Sequence, residues 1–150
     1  MIADVFVDTN VLVYALDAAQ TTKQERAAAW MTTIWQTRRG RLSMQVLQEF
    51  YVTVTQKLSP GLDRIAARQE VRSLTAWRPI PVGPAIIEAA WNLQDRFALS
   101  WWDSLIVSAA QTAGCRYLLT EDLKDDQDLG GVVVVNPFTH AVDSLPRWTT

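Results

Sequence analysis

Ile2-Ala3-Asp4-Val5-Phe6-Val7-Asp8-Thr9-Asn10 is an apolar, β-branched run closed by an acid and a polar pair. Val, Ile and Phe packed this densely are the mark of a strand buried on both faces, so Ile2 to Val7 reads as a strand inside a parallel sheet. A helical apolar pattern begins at once, from Val11 to Leu16. The passage from buried strand to helix places Asp8 at the carboxyl edge of the sheet, where open α/β folds bind their ligands.

Working outward, the alternation continues. Gln20 to Thr37 carries Ala27, Trp30, Met31, Ile34 and Trp35 at helical spacing, and Gly40 ends it. Leu42-Ser43-Met44 is a short strand leading into a helix from Gln45 to Lys57, which stops before the turn Ser59-Pro60-Gly61. Leu62 to Trp77 is an amphipathic helix, and Ile80-Pro81-Val82 is a strand that its prolines confine to a sheet edge. Pro84 opens a helix to Phe97, Ser100 caps another from Trp101 to Thr112, and Gly114 closes that one. Tyr117 to Thr120 and Val132 to Val135 are the remaining strands. Strands alternating with helices predict an α/β protein, a three-layer α/β/α sandwich with a parallel central sheet, formed by residues 1–150 as one domain.

Composition narrows the function classes. With 150 residues, 49% of them hydrophobic, the chain can bury a substantial core. Seven Trp suit packing in a core or interface, although Trp101 or Trp102 also suits stacking on an unpaired base. Net charge is −2, so the molecule as a whole is no trap for a polyanion, and nucleic acid must be met locally. The local cations are Arg38, Arg39 and Arg41 at a helix end and the stripe Arg64, Arg68 and Arg72, both read more readily as solvated faces than as RNA contacts. The start lacks a signal peptide's basic segment and long apolar stretch, and no run approaches the roughly 20 apolar residues of a membrane span; a cytoplasmic protein with no membrane partner is expected. Cys115 stands alone, which excludes an internal disulfide, and the single His140 excludes a histidine-rich zinc site or paired imidazole catalysis.

Acids remain as the chemistry-bearing set. Asp122 follows the strand Tyr117 to Thr120 and emerges at the same edge as Asp8. Asp103 shares a helical face with Ile106, Val107 and Ala110, where an unpaired carboxylate is costly; its place in the first helical turn relieves part of that cost. Glu49 has Val46 and Val52 at helical spacing, but also Gln45, Gln48 and Thr53, so periodicity leaves it open between site and surface. Asp125, Asp126 and Asp128 read as a solvated acidic loop, one member of which can assist the site. Glu121 diverges from Asp122, and Asp4 lies within the strand, away from the edge. Thr9 and Asn10 cap the following helix, orient the carboxylates, or do both. Converging carboxylates are the ligands of a hard cation such as Mg²⁺, in the setting that phosphodiester hydrolysis needs.

Four blocks, Val7-Asp8-Thr9-Asn10, Gln48-Glu49-Phe50-Tyr51, Trp102-Asp103-Ser104-Leu105-Ile106-Val107 and Leu119-Thr120-Glu121-Asp122, together resemble the PIN-domain ribonucleases. The closing Gly131-Val132-Val133-Val134-Val135-Asn136-Pro137-Phe138 resembles the end of the bacterial VapC-type toxins of that family. The resemblance implies an Mg²⁺- or Mn²⁺-dependent endoribonuclease that leaves a 3′-hydroxyl and a 5′-phosphate. It also implies a homodimer held inactive by a cognate antitoxin protein, with RNA as substrate. Carried onto this chain, it makes Asp8, Glu49, Asp103 and Asp122 the acidic metal-binding and catalytic quartet, with Thr9 in support.

Two rivals come from other classes. A catalytically silent PIN-like module binding RNA or protein would not need all four acids. A phosphotransfer domain would use Asp8 as phosphoacceptor, but Asp8-Thr9-Asn10 lacks the second aspartate two residues on that one large phosphatase group uses, and receivers carry their accepting aspartate well inside the sequence.

Overall fold

In the computed structural model, which describes residues 3–145, strand β1 is Val5–Val7 and all three residues are fully buried. Ile2, at the start of the expected strand, and Trp148 lie outside the described residues. β1 is central. It pairs in parallel with β2 (Gly40–Arg41) on one side and β3 (Tyr117–Leu119) on the other, and β3 pairs in parallel with β4 (Val133–Val135). The sheet order is β2-β1-β3-β4, so the first strand stands in the middle, as its unbroken apolar sequence requires.

Helices cover the sheet. α1 (Thr9–Tyr14) packs on α2 (Thr21–Thr37) and α3 (Met44–Val52), and α3 packs on α4 (Arg64–Leu74). α5 (Pro84–Phe97) packs on α6 (Trp101–Thr112). The principal core joins Phe6, Trp30, Ile34, Phe50, Leu118 and Leu119, while Ile86, Ala90 and Leu105 form a smaller apolar cluster. This is the parallel α/β sandwich that the alternation predicts. Among the described residues no helix is long and apolar enough to cross a membrane.

Several boundaries differ from the sequence expectation, each for a physical reason. Helix α2 ends not at Gly40 but through Arg38, whose backbone takes the left-handed conformation at φ 56°. Gly40 instead lies in β2, where an added Cβ would come within 2.7 Å of three Trp77 ring atoms. The second strand is therefore at Gly40–Arg41 and not at Leu42–Met44, because Ser43 is needed as the N-cap of α3, its hydroxyl accepting from Val46 N at 3.3 Å. Ile80 forms only an isolated parallel bridge to Ser43, with Pro79 and Pro81 removing donors on either side. The helix expected to run to Lys57 leaves α geometry at Thr53 and closes in one π-helical turn, Thr53–Lys57.

The arginine cluster also reads differently in three dimensions. Arg39 is only 3% exposed and forms a two-pronged pair with Asp4, Nε to Oδ1 at 2.7 Å and Nη2 to Oδ2 at 2.9 Å. Arg41 is turned to the carbonyls of Trp77 and Arg78, at 2.9 and 2.8 Å. Only Arg38 of the three is exposed, so the cluster is neither a solvated face nor a cationic patch for RNA. The stripe Arg64, Arg68 and Arg72 does lie exposed along α4.

Candidate functional site

The carboxyl edge of the sheet collects the acids because β1 and β3 are parallel neighbours and both run out at that end. Asp8 follows β1 and is the N-cap of α1, its Oδ1 accepting from Thr9 N at 2.7 Å. The cap thus falls on Asp8 itself, which frees the side chains of Thr9 and Asn10 for other partners. Thr9 Oγ1 donates to Glu49 Oε1 at 3.2 Å, fastening α3 to the edge. Asn10 Nδ2 reaches Thr120 Oγ1 at 2.9 Å, Asp122 Oδ2 at 3.0 Å and Asp8 Oδ2 at 3.4 Å. One amide therefore spans the acids that follow two different strands.

Thr120 is the residue that sequence reasoning passed over. Fully buried, it donates to Asp8 Oδ2 at 2.9 Å and accepts from Asp122 N at 3.1 Å. Its one available signal is position, a hydroxyl closing the run Tyr117-Leu118-Leu119 at the strand's carboxyl end. Thr120→Val removes the donor to a buried carboxylate while keeping the shape. We expect a loss of about 1–3 kcal/mol in denaturant unfolding near neutral pH.

Electrostatics tie the four acids together. Burial, the largest cause, pushes the Asp8 carboxyl up to about 7, with the charges of Asp122 and Glu49 adding to the rise and the Thr120 and Thr9 hydrogen bonds opposing it. Glu49, on the exposed side of α3, is raised by desolvation and by the charges of Asp103 and Asp122. Asp103, half-buried at the start of α6, is raised by desolvation and by Asp122, while the Ser100 hydroxyl lowers it. Mutual repulsion on this pattern is what a divalent cation would relieve. The donors are all oxygens, which fits Mg²⁺ or Mn²⁺. No three of these acids bring carboxylate oxygens within 4.8 Å of one another; among the described residues that spacing occurs at Asp125, Asp126 and His140.

Beside Glu49 and Asp122 opens a cleft of about 690 Å³, bounded also by Thr9, Asn10, Tyr14 and Lys57. Glu121 does diverge from its neighbour, pairing with Lys23 at 2.9 Å. Asp125 accepts from Asn136 N at 2.9 Å and lies 2.6 Å from His140 Nε2, and Asp128 accepts from Gly131 N at 2.7 Å. The acidic loop thus has local partners of its own.

The PIN domain family model matches residues 5–127, most of the chain. The chain belongs to the PIN domain family. PIN domains are generally nucleases that use divalent metals. The fold is shared with a toxin-antitoxin complex from Klebsiella pneumoniae at 22% identity and a TM-score of 0.62, covering 89% of this chain and 98% of that one. It is shared also with FitAcB from Neisseria gonorrhoeae, at 19% identity, a TM-score of 0.66, and coverage of 91% and 99%. VapBC2 from Rickettsia felis, solved bound to a DNA fragment from its promoter, aligns at 15% identity and a TM-score of 0.57, covering 89% and 97%. No curated relative matches the chain. In this PIN domain the edge described above lies within the matched span, from Asp8 to Asp122.

Proposed function

We propose that this PIN domain, residues 1–150 acting as one unit, is a metal-dependent endoribonuclease and the toxin of a toxin–antitoxin pair. The observation that carries the reading is the convergence of acids at one sheet edge, with the Asp8 carboxyl raised chiefly by its burial and further by the charges of Asp122 and Glu49. Asp8 and Asp103 would hold the principal Mg²⁺ or Mn²⁺, with Glu49 and Asp122 completing the cluster. Bound there, the metal lowers the pKa of water and neutralises charge on the phosphate. The chain's own groups prepare the site: Asn10 and Thr120 fix the Asp8 and Asp122 carboxylates, and Thr9 steadies Glu49.

Regulation by a cognate antitoxin is supported by the Klebsiella pneumoniae neighbour, whose structure is described as a toxin-antitoxin complex. A homodimer and a cytoplasmic location complete the proposal, on the family resemblance alone. Recombinant chain freed of any antitoxin should cut single-stranded RNA in Mg²⁺ or Mn²⁺, leave 5′-phosphate ends, and stop on addition of chelator. Cleavage that continues undiminished in chelator would remove the metal mechanism.

A further inference from the structure

A second cavity, of about 430 Å³, opens on the far side of Glu49 between α3 and α6, lined by Gln45, Gln48, Glu49, Val82, Trp102 and Leu105. It shares Gln48 and Glu49 with the larger cleft, so Glu49 stands on the ridge between the two. We infer that this slot is a nucleobase subsite for single-stranded RNA, with Trp102 as its stacking face; the inference rests on the nuclease reading above.

The neighbouring tryptophans make the contrast. Trp101 is satisfied within the protein, stacking on Trp91 at 6.4 Å and 29°. Trp102 is 64% exposed and, among the described residues, makes no ring contact. It directly precedes Asp103, so an indole face is presented one residue from an acid of the proposed metal cluster. Indole stacks well on any base, because every base has a π-face. Gln48 offers an amide donor and acceptor, the chemistry that reads a base edge, while the Gln45 amide donates to Trp102 O at 3.5 Å and bonds Glu49, bracing the slot wall. The volume lies within the roughly 300–1,000 Å³ usual for small-molecule sites. A phosphate held at the acids leaves its flanking base beside the slot, provided the base is unstacked, which favours single strands over duplex.

The test compares Trp102→Ala and Trp102→Phe with wild type, using a short single-stranded RNA. Two readouts serve: KM and kcat in Mg²⁺, and affinity by fluorescence anisotropy with Ca²⁺ replacing Mg²⁺. We expect Trp102→Ala to weaken binding and raise KM about 10-fold with kcat little changed, and Trp102→Phe to recover most of the loss. An RNA abasic at one position should show the same loss in wild type and no further loss in Trp102→Ala. Unchanged affinity and KM in a folded Trp102→Ala overturn the subsite while leaving the nuclease reading intact. A fall in mass to the monomer on light scattering, with RNA affinity preserved, also overturns it and assigns Trp102 to contact between copies. Should wild type bind the RNA yet cut nothing, the nuclease reading fails and the anisotropy comparison still decides the subsite.

Discussion

Asp8→Asn is expected to make the metal-free protein more stable near pH 8 while reducing RNA cleavage at least about 10³-fold. Burial holds the folded-state carboxyl at about 7 against an ordinary 3.8, so between those values the folded chain retains a proton that the unfolded chain has released. Stability of the metal-free protein therefore falls as pH rises through that window, and the penalty, up to about 4 kcal/mol, is complete above it. Asparagine removes the charge but replaces one acceptor with a donor beside Thr9 N and Thr120 Oγ1, so about half of that ceiling is the expected gain. Below about pH 4 the carboxyl is neutral in both states and the gain vanishes. Thermal unfolding in chelator at about pH 4 and pH 8 checks this, and Mg²⁺ should then stabilise wild type and not the variant. A variant less stable than wild type at the higher pH would contradict the proposed burden on Asp8. The cleavage loss follows from removing a charged ligand whose work nothing nearby can replace.

Arg39→Met is expected to cost about 3–5 kcal/mol, measured by denaturant unfolding, with no direct effect on chemistry at the acids. Asp4 and Arg39 are both buried, at 6% and 3% exposure, and the guanidinium grips both carboxylate oxygens. Taking away the arginine leaves a buried carboxylate stranded at the start of β1. The partner control is Asp4→Asn combined with Arg39→Met, which removes both charges and should recover much of the loss. A single variant within about 0.5 kcal/mol of wild type would show that the pair contributes little.

What was legible in the chain tracks how local each cause is. β1 announced itself because burial on both faces leaves no polar alternation, and Asp8 and Asp122 followed from strands that end at one edge. Asp103 was legible from helical phase, as an acid on an otherwise apolar face of α6. Glu49 was not, since it lies on the exposed side of α3 where periodicity carries no information; only the resemblance singled it out. Arg39 was misread because its partner lies 35 residues away and a run of arginines looks solvated until the sheet brings Asp4 beneath it. Thr120 was invisible for a related reason: a β-branched residue ending a strand needs no explanation until Asp8 and Asn10 are placed against its hydroxyl. Gly40, read as a helix stop, answers instead to the ring of Trp77.

The sheet-edge acids, and not the loop triad Asp125, Asp126 and His140, are expected to hold the divalent cation. Titrating Mn²⁺ into wild type, Asp8→Asn and His140→Ala, followed by calorimetry, separates the two directly. We expect affinity lowered at least about 10-fold in Asp8→Asn and unchanged in His140→Ala. Affinity kept in Asp8→Asn and lost in His140→Ala would contradict that assignment.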